Sequence, residues 1–142
     1  MKKTSSISIF ALTLSSAIIL STFSTSFANA SSTSSKSYTG YLMDSKCATK
    51  GFDDMTSKIN IKLYPEKHLT SCLSMKNCMA SGLGILIKEG SSYKYYKFDK
   101  TGSKMADDNI MMKTSKKSNI KIAITGAIKG NTITLASVKE AK

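Results

Sequence analysis

Residues 83–99 read LGILIKEGSSYKYYKFD, which is the pattern of a β-hairpin. The elements predicted on either side extend this hairpin into a sheet. An apolar run from residue 83 to 88 is followed by the turn residues Glu89-Gly90-Ser91 and then by an aromatic-rich arm over residues 92–99. Residues that favour strands on both sides of a short glycine-containing turn are typical of antiparallel pairing. The stretch therefore predicts two adjacent strands.

Three more strands and a helix follow from the pattern on either side. Residues 37–43 predict a first strand with both faces at least partly buried, and Asp44 is expected to end it. Apolar residues recur at helical spacing over 101–113. Isoleucines alternate over 119–128, and a Gly-Asn turn leads into a last strand over 131–138.

The connection between the first two strands is long and less regular. Residues 47–61 lack sustained periodicity and predict a loop, whereas Pro65 and Glu66 suit the first turn of a short helix over 65–75. The chain is thus predicted to be mainly β with two short helices. Five strands with a helix between the third and fourth is the order of an OB-like barrel, and an α+β open sandwich is the alternative.

The first 30 residues have the features of a secretory signal peptide. Lys2 and Lys3 precede an apolar stretch over 7–23, and Ala28-Asn29-Ala30 offers small residues for cleavage after Ala30. A membrane anchor is the alternative, but the apolar run is short and interrupted by serines. We therefore expect a secreted, extracytoplasmic protein whose mature chain has no transmembrane segment.

The remaining chain has room for one domain. Residues 31–36 are polar and predict a flexible tether, and residues 37–142 form a single OB-like domain. The full sequence carries a net charge of +12, and every basic residue is lysine. Such a surface attracts anionic polymers. Cell-wall polymer, saccharide or protein are the expected partners, and export makes nucleic acid an unlikely one.

All three cysteines and the only histidine lie within 32 residues, as Cys47, His68, Cys72 and Cys78. In an exported domain with a modest core, a disulfide would stabilise the long loop by about 2–4 kcal/mol. Two of Cys47, Cys72 and Cys78 are therefore predicted to form a disulfide, which leaves the third unpaired.

The same four residues have a second interpretation as a metal site. Three thiolates and an imidazole match a tetrahedral zinc set, and they would also suit copper(I). Helical spacing over 65–75 would put His68 and Cys72 on one face. Against this, the chain lacks paired Cys-x-x-Cys motifs and has no Cys-x-x-Cys-His for haem.

Catalysis is the least supported interpretation of the cluster. Cys72 as nucleophile and His68 as base would need an orienting group and an oxyanion site, which the sequence does not identify. Asp53 and Asp54 are adjacent, so they point apart, and a solvated loop explains them. We therefore expect a non-catalytic binding module with no cofactor, and zinc or copper as the alternative.

Tyr93, Lys94, Tyr95 and Lys97 are the predicted ligand-binding residues. Tyrosines beside lysines on a barrel surface can stack on rings and hold anionic chains. Tyr93 and Tyr95 point to one face of the arm, while the aromatic residues at 96 and 98 point to the other. One of the two pairs is expected in the core.

Short segments around the cysteines resemble a group of small exported bacterial proteins with OB-like domains. They are residues 40–47, GYLMDSKC, residues 68–72, HLTSC, and residues 78–82, CMASG. The resemblance implies an exported β-barrel in which the Cys/His cluster forms one unit. It carries no implication about the ligand.

Overall fold

The computed structural model describes residues 34–56 and 58–142. The predicted signal peptide, with its cleavage site after Ala30, lies outside the described residues, as does the first half of the predicted tether. The end of that tether is corrected, because Lys36 already belongs to a strand and is paired with Gly126.

The described chain is mainly β, as predicted, and its five strands fall close to the expected positions. The strands are β1 Lys36–Asp44, β2 Leu83–Glu89, β3 Ser92–Phe98, β4 Lys121–Lys129 and β5 Thr132–Glu140. The α-helices are α1 Ser45–Lys50, α2 Thr70–Leu73, α3 Lys76–Ser81 and α4 Lys100–Ala106, with a 3₁₀ turn at Pro65–Lys67 and a π turn at Asp107–Met111.

Two predictions about the helices are wrong. The described residues contain four short α-helices rather than two, because α1 lies inside the predicted loop over 47–61. The predicted helix over 65–75 is divided into a 3₁₀ turn and α2. The helix predicted over 101–113 is present as α4 followed by the π turn.

The five strands form one mixed sheet. β1 is antiparallel to both β2 and β4, β2 is antiparallel to β3, β4 is antiparallel to β5, and β3 and β5 are parallel. The order β1-β2-β3-β5-β4 returns to β1 and closes the sheet into a barrel. The closing contact is short, because only Lys97 with Thr132 and Phe98 with Ile133 pair β3 with β5.

The main core fills the interior of this sheet. It is built from inward-facing residues of the strands, together with Ala106 of α4 and Ile110 of the π turn. Asp99 begins α4 as its N-cap, accepting a 2.7 Å hydrogen bond from the Gly102 N–H. Its large, fully buried strand residues include Leu42, Ile85, Phe98, Ile122 and Ile133.

Residues 45–82 form an excursion between two neighbouring strands. Asp44 at the end of β1 is paired with Leu83 at the start of β2, so the chain leaves and re-enters the sheet at one place. A second core cluster lies in this excursion and against the outer face of β1 and β2. Among the described residues, no helix is long and apolar enough to cross a membrane.

Candidate metal centre

Cys47 is positioned by the short helix α1. Asp44 ends β1 and caps α1, because its Oδ1 accepts a 2.9 Å hydrogen bond from the Cys47 N–H. Gly51 ends the helix in the left-handed conformation, with φ of 84°, and its N–H donates to the Cys47 carbonyl at 2.7 Å. The Cys47 side chain is thereby held in the second core cluster, fully buried.

His68 and Cys72 meet without sharing a helix. The 3₁₀ turn ends at His68, which is extended. Leu69 forms a β-bridge with Ser118, and the Thr70 N–H donates to the Lys117 carbonyl at 2.8 Å, so α2 starts only at Thr70. The predicted common helix face is therefore wrong, because these tertiary contacts replace the first turns of the helix.

The predicted cluster nevertheless assembles, in two overlapping sets of donors. One ligand atom each of Cys47, His68 and Cys72 lie within 4.8 Å of one another, and the same holds for Asp44, Cys47 and Cys78. Cys78 comes from α3 and is fully buried. All four cysteine and histidine positions predicted from the sequence thus lie in one buried cluster, to which Asp44 is added.

The three cysteines are free thiols in the described chain. The Sγ atoms of Cys47 and Cys72 are 3.7 Å apart, whereas a disulfide bond is about 2.05 Å long. The predicted disulfide therefore stays a prediction.

Asp53 and Asp54 play different roles. The expectation of a solvated pair is wrong for Asp53, which is buried and accepts from the N–H groups of Met55 at 2.7 Å and Leu69 at 3.0 Å. Asp54 lies nearer the surface, where it pairs with Lys46 and Lys50. Asp53 thus ties the chain after α1 to the segment that carries the histidine.

Among the described residues, the His68 side chain has no hydrogen-bond partner in spite of its burial. Its side chain is 1% exposed, and neither ring nitrogen is hydrogen-bonded. Nε2 lies 3.5 Å from Oδ2 of Asp44 and 3.8 Å from Oδ2 of Asp53, beyond ordinary hydrogen-bond length. Asp44 Oδ2 is also buried without a partner. Each buried polar group without a hydrogen bond lowers the stability of the fold by about 1–3 kcal/mol. A bound group that contacts these atoms would remove that cost.

Burial sets the protonation of the cluster. It raises the pKa of the Cys47 and Cys72 thiols and raises that of Cys78 to about 12, with the Asp44 carboxylate adding to the effect. Burial also lowers the pKa of His68, opposed by Asp44 and Asp53. Neutral, inaccessible thiols are poor nucleophiles, which disfavours a catalytic role for Cys72.

The four predicted ligand-binding residues do not share one surface. Tyr93 and Tyr95 are half-buried and pack against the second core cluster, where Tyr93 meets Tyr41 edge-on with ring centroids 5.9 Å apart. Lys94 lies on the opposite face of β3, with Nζ 4.8 Å from the Tyr96 ring centroid. Tyr96 and Phe98 form the core pair that the sequence predicts, and Lys97 is exposed.

Tyr95 is expected to stabilise the excursion through its hydroxyl, which lies 2.8 Å from the Ser45 hydroxyl. Tyr95→Phe removes that hydrogen bond and should lower the free energy of unfolding by about 1 kcal/mol. Urea denaturation measures the change. Tyr64→Phe is the control, since the Tyr64 side chain is 54% exposed; equal losses in the two variants would contradict the assignment.

No known family model, curated protein or solved structure matches the chain. The chemistry of the centre must therefore be argued from its own geometry. The sequence identified Cys47, His68, Cys72 and Cys78 as a group but missed Asp44. Had α1 been predicted, Asp44 would have been recognised as its N-cap, three residues before Cys47, and so as a carboxylate close to that thiol.

Proposed function

We propose that this protein binds a soft metal ion, Zn²⁺ or Cu(I), through Cys47, His68, Cys72 and Cys78, with Asp44 as a neighbouring carboxylate. The carrying observation is the buried, unpartnered imidazole of His68 beside two thiols. A buried imidazole without a hydrogen bond is unfavourable in an apolar cluster. A metal ion would satisfy the lone pair of its deprotonated nitrogen.

The spacing of the sulfur atoms supports the same ligand set. Two thiolates, each about 2.3 Å from a shared tetrahedral zinc ion, would lie about 3.8 Å apart. The 3.7 Å between Cys47 and Cys72 is close to that edge length.

Two carboxylates lie near the His68 ring, although neither is within ordinary hydrogen-bond length of it. Asp44 and Asp53 place carboxylate oxygens near Nε2 of His68. A carboxylate beside a ligating imidazole orients the ring and strengthens it as a ligand. Because every donor is buried, the centre would be closed to substrate and would bind the metal as a structural or stored ion.

The scaffold of this centre is an OB-like barrel in our proposal. The strand order β1-β2-β3-β5-β4 and the position of α4 between β3 and β4 support that assignment. The centre would then occupy an enlarged connection between the first two strands. Export through residues 1–30 would place it outside the cytoplasm, where metal and oxidation compete for the thiols.

Oxidation gives the second candidate, a secreted binding module in which Cys47 and Cys72 form a disulfide. The contact between their Sγ atoms favours this pair over one with Cys78. In such a protein the metal centre would be lost, because a disulfide removes two thiolate ligands.

Native mass spectrometry of the purified protein distinguishes the two states. We expect one Zn²⁺ or Cu(I) per chain in the wild type and none in Cys72→Ser. Ser71→Ala, at the exposed neighbouring position, is the control and should retain the ion. Cobalt(II) substitution should add sulfur-to-metal charge-transfer bands. A mass lower by two hydrogens without metal would establish the disulfide module instead, and an unchanged mass with free thiols after metal addition would refute the metal site.

A further inference from the structure

The exposed large apolar residues of the described chain are concentrated in one stretch of the sequence. Five such residues are exposed in total, and four of them fall between positions 52 and 64. They are Phe52 at 43%, Met55 at 56%, Leu63 at 64% and Tyr64 at 54% exposure, which we name the apolar patch. Met112, at 76%, lies elsewhere. Clustered exposed apolar residues mark an interaction surface.

The backbone explains why this segment turns apolar side chains outward. Phe52 forms an antiparallel bridge with Asn60, and the Ile61 N–H donates to the Gly51 carbonyl at 3.0 Å. Ile61 is fully buried under the segment. Since neighbouring residues of extended chain face opposite sides, Phe52 faces solvent between the buried Gly51 and Asp53.

Leu63 and Tyr64 are held next to that bridge. The N–H groups of Leu63 and Tyr64 both donate to the Asn60 carbonyl, at 3.2 and 2.9 Å. The side chain of Asn60 also accepts from the Lys62 N–H at 2.9 Å. These bonds fix a compact turn, so the exposed side chains are presented by ordered backbone.

Lysines accompany the apolar patch along the chain. Lys58, Lys62 and Lys67 are exposed, and none of them takes part in an ion pair between described residues. The Asp54 carboxylate is occupied by Lys46 and Lys50. Glu66 is half-buried and also has no ion pair between described residues. Three unpaired lysines against one such carboxylate leave the free charge near the apolar patch predominantly positive.

We propose that the apolar patch docks on an anionic lipid bilayer, with the apolar side chains entering the headgroup region and the lysines contacting lipid phosphates. Aromatic and aliphatic side chains flanked by lysine are the composition of interfacial membrane-binding segments. The net charge of +12 favours the same partner over a neutral one. Lysine without arginine suits a diffuse anionic surface better than bidentate recognition of one group.

Vesicle co-sedimentation tests the proposal with the purified protein. We expect binding to phosphatidylglycerol vesicles, little binding to phosphatidylcholine vesicles, and weakening as salt is raised. The double variant Leu63→Ser and Tyr64→Ser should reduce the partition coefficient about tenfold or more, because it removes apolar area from the contact. Met112→Ser is the matched control and should bind as the wild type does.

Four results would overturn the proposal. One is the absence of vesicle binding. A second is equal binding of the double variant and the wild type, which would assign any attraction to the general positive charge. The third is an equal loss of vesicle binding in Met112→Ser.

Metal content measured on the same samples keeps the vesicle result separate from the proposed metal centre, since neither Leu63 nor Tyr64 belongs to that centre. Binding of a protein at the apolar patch, without lipid, would also contradict the proposal.

Discussion

If the protein binds a metal as proposed, chelating that ion is expected to lower the melting temperature of the domain and to loosen residues 45–82 before the rest of the sheet. A ligand that binds only the folded state at a free concentration 1,000 times its Kd stabilises it by about 4 kcal/mol. For a domain of about 100 residues this corresponds to roughly 15–30 °C. The loss should be local because all the proposed ligands lie between Asp44 and Cys78.

Calorimetry and amide hydrogen exchange, with and without chelator, measure this result. Amides of α1, α2 and α3 should exchange faster in the metal-free protein, whereas those of β4 and β5 should stay protected. Cys72→Ser is the control, since chelator should not shift its melting temperature. Unchanged melting and exchange after verified loss of the ion would mean that the metal does not order this segment.

Phe98→Ala should cause the largest loss of stability that does not involve the metal centre. Phe98 is 1% exposed in the main core, and truncation of a buried phenylalanine typically costs about 3–5 kcal/mol. That is a large part of the stability of an ordinary domain, about 5–15 kcal/mol. Urea denaturation of the metal-free protein measures the change without a contribution from ligand binding.

A second phenylalanine provides the matched control. Phe52 is 43% exposed, so Phe52→Ala should change the free energy of unfolding by about 0.5 kcal/mol or less. Phe98→Leu retains most of the apolar volume and should remain folded if the alanine variant does not. Similar losses for Phe98→Ala and Phe52→Ala would contradict the assignment of Phe98 to the core.

The strands could be predicted because their patterns are local. Alternation of apolar residues over β4 and the turn between β2 and β3 are visible in the sequence and need no distant partner to be interpreted. The closed ring could only be proposed, because it depends on the parallel pairing of Lys97 and Phe98 with Thr132 and Ile133. No local pattern specifies a contact between segments so far apart in the chain.

In the proposed metal centre, too, local features could be predicted and long-range contacts could not. Cysteine and histidine stand out by residue type, so their grouping could be predicted, whereas the burial of Asp53 could not. Its carboxylate is held by N–H groups of Met55 and Leu69, and the second of these comes from a distant part of the loop. The predicted helix over 65–75 failed for a related reason, since Ser118 pairs with Leu69 from outside the segment.

The pairing of Asp44 with Leu83 has a consequence for how this chain can vary. Because the two ends of the excursion are already neighbours in the sheet, lengthening it adds only a slowly growing closure entropy, about 0.6 kcal/mol for each doubling. The strand register does not depend on that length. The segment between these two strands can therefore be lengthened or shortened without changing the register of the strands that carry it.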